Sequence, residues 1–188
     1  MLDDQIAQAL EILRRGGIIL YPTDTVWGIG CDATNAAAID RIYTLKQRVD
    51  KKSMIVLIDR PDSVSRYAQT VPEIAWQLFE VADKPLTLIL PQGRGVAENL
   101  LPEDGSIAIR IPDHEFCKKL TYKLGRPLVS TSANLSGEPA PVTFSEIPAE
   151  IKKGVDGVID PVLEGKPTRK PSSIISLGPG GEIKILRE

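Results

Sequence analysis

Two short polar segments contain the residues whose types and spacing could perform chemistry. In the first, an apolar run at 18–21 leads through Pro22 into a Thr-Asp-Thr turn at 23–25. A helical pattern follows, and five cations and one anion lie between Arg41 and Lys52. This stretch carries +4 in a chain whose formal net charge is −2. Hydroxyls beside cations favour an anion site, because each charge-assisted hydrogen bond to a phosphate oxygen contributes roughly 1.5–3 kcal/mol.

Charge alone leaves a simpler interpretation of these cations open. Cations are favoured near the C-terminus of any helix, where they meet the negative end of the dipole. The spacing is more informative, since Lys46, Arg48 and Lys52 come directly before a second apolar run at 54–58. Ligands of open α/β sheets tend to bind at strand ends, so we expect a phosphate site here.

A second polar segment, Ser-Thr-Ser-Ala-Asn at 130–134, continues an apolar run that begins at Leu128. Its hydroxyls and amide could hold phosphate or carboxylate oxygens through side chains and backbone N–H groups. By itself, this composition is better explained as an ordinary turn. Together with the first segment, it predicts another part of the same site.

The elements that would position these segments alternate between strands and helices, which predicts an α/β fold. Gly-Pro-Gly-Gly at 178–181 predicts a closing hairpin, and therefore a mixed sheet. Gly28 and Gly30 are expected to let the backbone turn. The sequence has neither a complete Rossmann glycine pattern nor a Walker motif. We expect strands at 18–21, 54–58, 86–90, 106–111, 128–131, 158–159, 173–177 and 183–186, and helices ending before Gly16 and at 36–46, 61–67, 73–81, 113–124 and 147–153.

The composition, with 26% charged and 42% hydrophobic residues, is that of a globular chain, and we expect one domain over 1–188. Cys31 and Cys117 have no spacing typical of a metal site or a disulfide framework. The single His114 is expected to be exposed in the first turn of a helix that Asp113 caps. Since neither a leader pattern nor a run of ~20 apolar residues is present, we expect a cytoplasmic protein without membrane contact.

Five motifs, taken in order, resemble those of the YrdC-like family. Each motif is weak alone, but five in the same order across nearly the whole chain are highly specific. They are Pro22 to Thr25, Lys46 to Arg48, Ser132 to Asn134, Pro171 to Ser173, and Leu186-Arg187.

The chain departs from the family pattern at two positions. The basic motif of the family usually ends in proline, where this chain has Ser53. Many long members carry a histidine in the following strand, where this chain has Leu57. The first departure concerns the geometry of the basic loop, and the second removes one polar contact to the amino-acid substrate.

The resemblance implies a short, single-domain form with a twisted mixed sheet, flanking helices and a concave basic cleft, as in YrdC/RibB-like folds. It implies an L-threonylcarbamoyladenylate synthase that condenses L-threonine, bicarbonate and ATP, with Mg²⁺ arriving on ATP and no dedicated metal site. The products would be threonylcarbamoyl-AMP, pyrophosphate and water. A downstream tRNA threonylcarbamoyltransferase complex would then make threonylcarbamoyladenosine (t6A) in tRNA.

The resemblance also implies roles for individual residues, carried over from the matching motifs. Lys46 and Arg48 are the expected catalytic residues, with Lys46 stabilising bicarbonate or the carbamate. Two of the binding residues have a simpler interpretation. Arg110 could form a structural ion pair, and Arg187 could be an exposed C-terminal side chain. The expected ATP-binding residues are Arg48, Lys52, Ser106, Ser132, Asn134 and Arg187, and the expected threonine-binding residues are Thr23, Thr25, Arg110, Ser130 and Ser172 or Ser173.

Two other functions are compatible with parts of this pattern. An RNA-binding module for double-stranded RNA, tRNA or ribosome maturation could use a basic surface without chemistry. The acidic pI of about 5.6 argues against that function, although tRNA or dsRNA binding could coexist with catalysis. Hydrogenase-maturation carbamoyltransferases contain a similar domain, but they add acylphosphatase-like and zinc-finger segments that this sequence lacks.

Overall fold

The protein is described by a computed structural model, which covers residues 1–47 and 54–188. Within these ranges, nine strands form one mixed sheet in the order β7-β1-β2-β6-β3-β5-β4-β8-β9. The pairs β1–β7, β3–β5 and β4–β8 are parallel, and the other neighbours are antiparallel. The strands are β1 Ile19–Tyr21, β2 Gly28–Gly30, β3 Ile55–Leu57, β4 Leu86–Leu90, β5 Ile107–Arg110, β6 Leu128–Ser132, β7 Gly157–Val158, β8 Ser173–Leu177 and β9 Ile183–Arg187.

Local signals in the sequence explain where several helices begin and end. Asn35 caps α2, because its side-chain oxygen accepts a hydrogen bond from the Ala38 N–H at 3.0 Å. Gly125 ends α5 in the left-handed conformation that glycine adopts without strain. The α-helices are α1 Leu2–Arg14, α2 Ala36–Leu45, α3 Val64–Tyr67, α4 Glu73–Val81, α5 Glu115–Leu124 and α6 Ala149–Gly154.

The two faces of the sheet are covered to different extents. On one face, strand residues such as Val56 and Val129 join the larger apolar cluster, which includes side chains of α2, α4 and α6. On the other face, Leu57 and Leu128 join a smaller cluster with residues of α1 and α5. Ile55 shares that second face, because alternate strand residues point the same way. It is partly buried against the smaller cluster and also lines an open cleft.

The structure confirms the predicted fold class, and it corrects three local predictions. The turn expected at Gly28 and Gly30 is wrong, because these residues form β2, which pairs with β1. Asp113 does not cap α5; the N-cap is His114, and Asp113 pairs with Lys118 instead. His114 is half-buried rather than exposed, and burial lowers the pKa of its imidazole.

Gly30 is required by a close approach of neighbouring groups rather than by a turn. A Cβ atom at this position would collide with the Val129 carbonyl oxygen and lie 2.8 Å from Tyr21 Cε1. We expect Gly30→Ala to lower the free energy of unfolding by about 1–3 kcal/mol, the usual cost of overpacking. Urea unfolding measures this change.

Gly28→Ala is the matched control within the same strand, since its nearest neighbours would lie at 3.4 Å. Equal losses in the two variants would show that the close approach at Gly30 is not what requires glycine.

Candidate functional site

A cleft of about 270 Å³ lies on the second face of the sheet. Its floor includes Ile55, Ala108 and Ile89, which lie side by side on β3, β5 and β4. Seven residues predicted to bind ligands line this cleft, although the sequence separates them by up to 164 positions. They are Thr23, Thr25, Arg110, Ser130, Ser132, Ser172 and Arg187.

Arg110 is held at the end of β5 by an almost buried ion pair. Its Nη2 donates to Asp24 Oδ1 at 2.5 Å, and its Nη1 donates to Thr25 Oγ1 at 2.9 Å. The two charged side chains are only 5% and 10% exposed. Arg110 therefore forms the structural ion pair that the sequence left open and also lines the cleft, while its role in binding threonine stays a prediction.

Hydrogen bonds within the Thr-Asp-Thr turn determine which hydroxyl donates and which accepts. Thr23 Oγ1 donates to the Val26 carbonyl at 2.7 Å, so its single proton is not available to Thr25. The 2.9 Å contact between the two hydroxyls is therefore donated by Thr25. Thr23 also accepts from the Thr25 N–H. Its hydroxyl is fully engaged within the turn, whereas Thr25 retains one acceptor site that can face a ligand.

Of the two serines that the sequence left unresolved, Ser172 lines the cleft. Its hydroxyl contacts Thr87 Oγ1 at 2.7 Å, and its carbonyl accepts from Arg187 Nε at 2.8 Å. Ser173 begins β8 and is not among the cleft-lining residues in the described part of the chain. Arg110 and Arg187 both line the cleft, and burial together with the nearby charge of Arg110 lowers the pKa of Arg187.

The second polar segment is folded around Lys46. The ammonium group is 4% exposed and donates to the carbonyls of Ser132 at 2.5 Å and Asn134 at 2.7 Å. The Asn134 amide donates to the Leu135 and Glu138 carbonyls. Lys46 and Asn134 therefore shape the loop that follows β6, beside Ser132 in the wall of the cleft.

The remaining predicted residues lie away from the described cleft or outside the described residues. Lys46, Asn134, Ser106 and Ser173 are not among its lining residues in the ranges that the structure covers. The Ser106 N–H bonds to Asp104 at the far end of β5 from Arg110. Arg48, Lys52 and Ser53 lie outside the described residues. The prediction that the cleft is basic therefore stays a prediction.

Sequence reasoning assigned no role to Asp24 and Thr87, which contact Arg110 and Ser172 respectively. An acid between two threonines directly after a strand was the available signal for Asp24. Thr87 gives no such signal, because it lies within an apolar strand and becomes relevant only through its register opposite Arg110.

In the ranges that the structure describes, no group of three or more metal-ligating side chains occurs. Nor is any helix there long and apolar enough to cross a bilayer.

The fold and the cleft define an α/β protein with a polar, ligand-sized site on one face of a mixed sheet. The sequence model of the Sua5–YciO–YrdC family, described as "Telomere recombination", matches residues 11–188. The chain belongs to this family, as its motifs predicted.

Three similar proteins illustrate the relationship. A threonylcarbamoyl-AMP synthase from Pseudoalteromonas translucida is 32% identical over 90% of this chain and 91% of its own. The crystal structure of E. coli YciO is 30% identical and superposes with a TM-score of 0.83, covering 97% and 88% of the two chains. P. abyssi Sua5 in complex with L-threonine is 30% identical, with a TM-score of 0.81 over 92% of this chain and 50% of that one. This chain thus spans about half the length of the archaeal protein.

Arg110 and Asp24 are expected to depend on each other for stability. Arg110→Met removes one partner of a buried pair and leaves the other charge unpaired, which costs about 3–5 kcal/mol. The double variant Arg110→Met/Asp24→Asn carries no unpaired charge, so it should be more stable than the single variant. Denaturant unfolding of both variants tests this coupling, and strict additivity with Asp24→Asn would contradict it.

Lys46 is expected to contribute to stability as well as to any chemistry. Lys46→Met leaves buried carbonyls without their donor, so we expect a loss of about 1–3 kcal/mol in the free energy of unfolding. Lys153→Met is the control, because Lys153 is exposed in α6 and its replacement should change stability by less than about 0.5 kcal/mol. Similar unfolding curves for both variants would show that Lys46 does not hold the loop.

Proposed function

We propose that this protein is an L-threonylcarbamoyladenylate synthase, a nucleotidyltransferase. The observation that carries the proposal is the convergence of seven predicted binding residues, between positions 23 and 187, on one cleft. The naming of its relatives as threonylcarbamoyl-AMP synthases supports the same activity. The proposed functional unit is a single domain formed by residues 1–188.

The proposed threonine half-site lies around Arg110. The guanidinium group of Arg110 would pair with the carboxylate of L-threonine, and the hydroxyls of Thr25 and Ser172 border the same space. Ser130 would complete this half-site from β6, with Thr23 supporting Thr25. The crystal structure of P. abyssi Sua5 in complex with L-threonine supports a threonine site in this fold.

The proposed ATP half-site lies towards the second polar segment. Ser132 lines the cleft there, and Arg187 lines it from β9. We propose that Arg48 and Lys52 contact the phosphates, as the family motif implies, while Lys46 and Asn134 hold the loop and could also stabilise bicarbonate. Ser106 is retained as a nucleotide contact on the resemblance alone.

The proposed reaction requires positioning rather than a protein nucleophile. The threonine amine and bicarbonate form a carbamate with loss of water. A carbamate oxygen then bonds to the α-phosphorus of ATP while the bond to the β-phosphate oxygen breaks, which releases pyrophosphate. Both reactants are anionic, so fixed cations and hydrogen-bond donors would lower the barrier to their reaction. Their interactions with the reactants become stronger as water is excluded. Mg²⁺ would enter as part of the ATP substrate.

The proposed product would pass to a tRNA threonylcarbamoyltransferase complex, and the proposed location of the protein is the cytoplasm. The alternative function, an RNA-binding module without chemistry, is not favoured by relatives that carry the name of a synthase. Direct tRNA or dsRNA binding remains a separate proposal that catalysis does not require.

Pyrophosphate release from ATP tests the proposed function. The purified protein should release pyrophosphate only when L-threonine and bicarbonate are both present, and mass spectrometry should detect threonylcarbamoyl-AMP in equal amount. L-Allothreonine and L-serine serve as matched substrates that keep the carboxylate and the amine. ATP binding without threonine-dependent release would contradict the proposed activity and favour a binding module.

A further inference from the structure

We propose that Asp24 is a positioning residue of the threonine half-site, which holds Arg110 so that one edge of its guanidinium group remains for a substrate carboxylate. This inference rests on the proposed function. It assigns a role to a side chain that does not itself need to touch the substrate.

Asp24 joins three segments around the end of β5. Its Oδ1 accepts from Arg110, and its Oδ2 accepts from the Asp113 N–H at 3.2 Å. Its backbone carbonyl accepts from the Thr168 N–H at 2.8 Å, and the Thr25 carbonyl accepts from the Arg169 N–H at 3.1 Å. The chain that leads to Ser172 is thereby fixed to the same turn that fixes Arg110.

The contacts of Arg110 leave its Nε–H among the donors available for an anion. Nη1 and Nη2 donate to Thr25 and Asp24, whereas Nε is buried and has no hydrogen-bond partner in the described part of the chain. A buried donor without an acceptor costs about 1–3 kcal/mol. Because Arg110 lines the cleft, a carboxylate that approaches the Nε edge would satisfy this donor in the side-on geometry that arginine favours.

Holding Arg110 in place before the substrate arrives has an energetic consequence. An arginine side chain carries about 2 kcal/mol of rotamer entropy, which an unrestrained guanidinium would lose on binding. Fixing it in the free protein removes much of this cost from the binding step. The net charge of the pair is zero, so the pair itself would recognise a carboxylate through geometry, while Arg187 adds positive charge to the same cleft.

The position of the pair argues for this role over stability alone. A buried ion pair is weak evidence for stability, because apolar groups of similar volume are often as favourable. Arg110 lines the cleft directly, and Asp24 holds it there without being a lining residue itself. Asp32 offers a comparison, since it is a buried acid that binds Arg126 at 2.8 Å and accepts the Thr34 N–H, but neither Asp32 nor Arg126 lines the cleft in the described ranges.

The test compares Asp24→Asn with the matched control Asp32→Asn in the full chain. We expect Asp24→Asn to raise the KM for L-threonine about tenfold or more, since it removes the charge-assisted bond that orients Arg110. The KM for ATP should change less than about twofold, and Asp32→Asn should leave both constants within about twofold of the parent. Pyrophosphate release by the parent protein in the same assay tests the proposed function separately.

L-Threoninol, which lacks the carboxylate, distinguishes positioning from general distortion. Its inhibition constant against L-threonine should change less than about twofold in Asp24→Asn, because it makes no bond to Arg110. An unchanged KM for L-threonine, or equal losses for L-threonine and L-threoninol, would overturn the proposal. If Asp24→Asn does not fold, Asp24→Ser, which keeps an acceptor near the Asp113 N–H, takes its place in the same comparison.

Discussion

The ion pair between Asp24 and Arg110 is the interaction on which the arrangement of the cleft depends. It joins the turn after β1 to the end of β5. Backbone carbonyls of the same turn accept hydrogen bonds from the segment that leads into β8. Both charges are almost buried, so separating them would expose an unpaired charge to an apolar interior at a cost of several kcal/mol. The Thr25 hydroxyl and the Arg110 guanidinium are both held by the contacts of this pair.

The unequal covering of the sheet explains why a cleft exists beside that pair. Apolar side chains on one face are buried under several helices, whereas α1 and α5 cover only part of the other face. Ile55 and Ala108 belong to the uncovered part and form an apolar floor. Polar groups come from the turn after β1, the end of β6 and the start of β8. A small ligand there would meet directed hydrogen bonds around a surface that excludes water.

The sequence predicts those features that depend on local chemistry or on several ordered motifs. The hairpin at 178–181 and the family were predictable for this reason, and the structure and the comparisons confirm them. Features set by pairing between distant strands were not predictable. Ser172 rather than Ser173 lines the cleft because of the path into β8, and β2 forms from two glycines that local propensity assigns to a turn. The bonds from Lys46 to two loop carbonyls were not predictable either, because these partners lie 86 and 88 residues away.

A crystal structure of the protein with L-threonine tests the central claim most directly. The account predicts that the carboxylate lies within hydrogen-bond distance of Arg110 Nε. Arg110 should keep its bond to Asp24 in that complex, since the pair is formed before the ligand binds. Threonine bound elsewhere in the cleft, or an Arg110 side chain that leaves Asp24 to reach the ligand, would contradict this account.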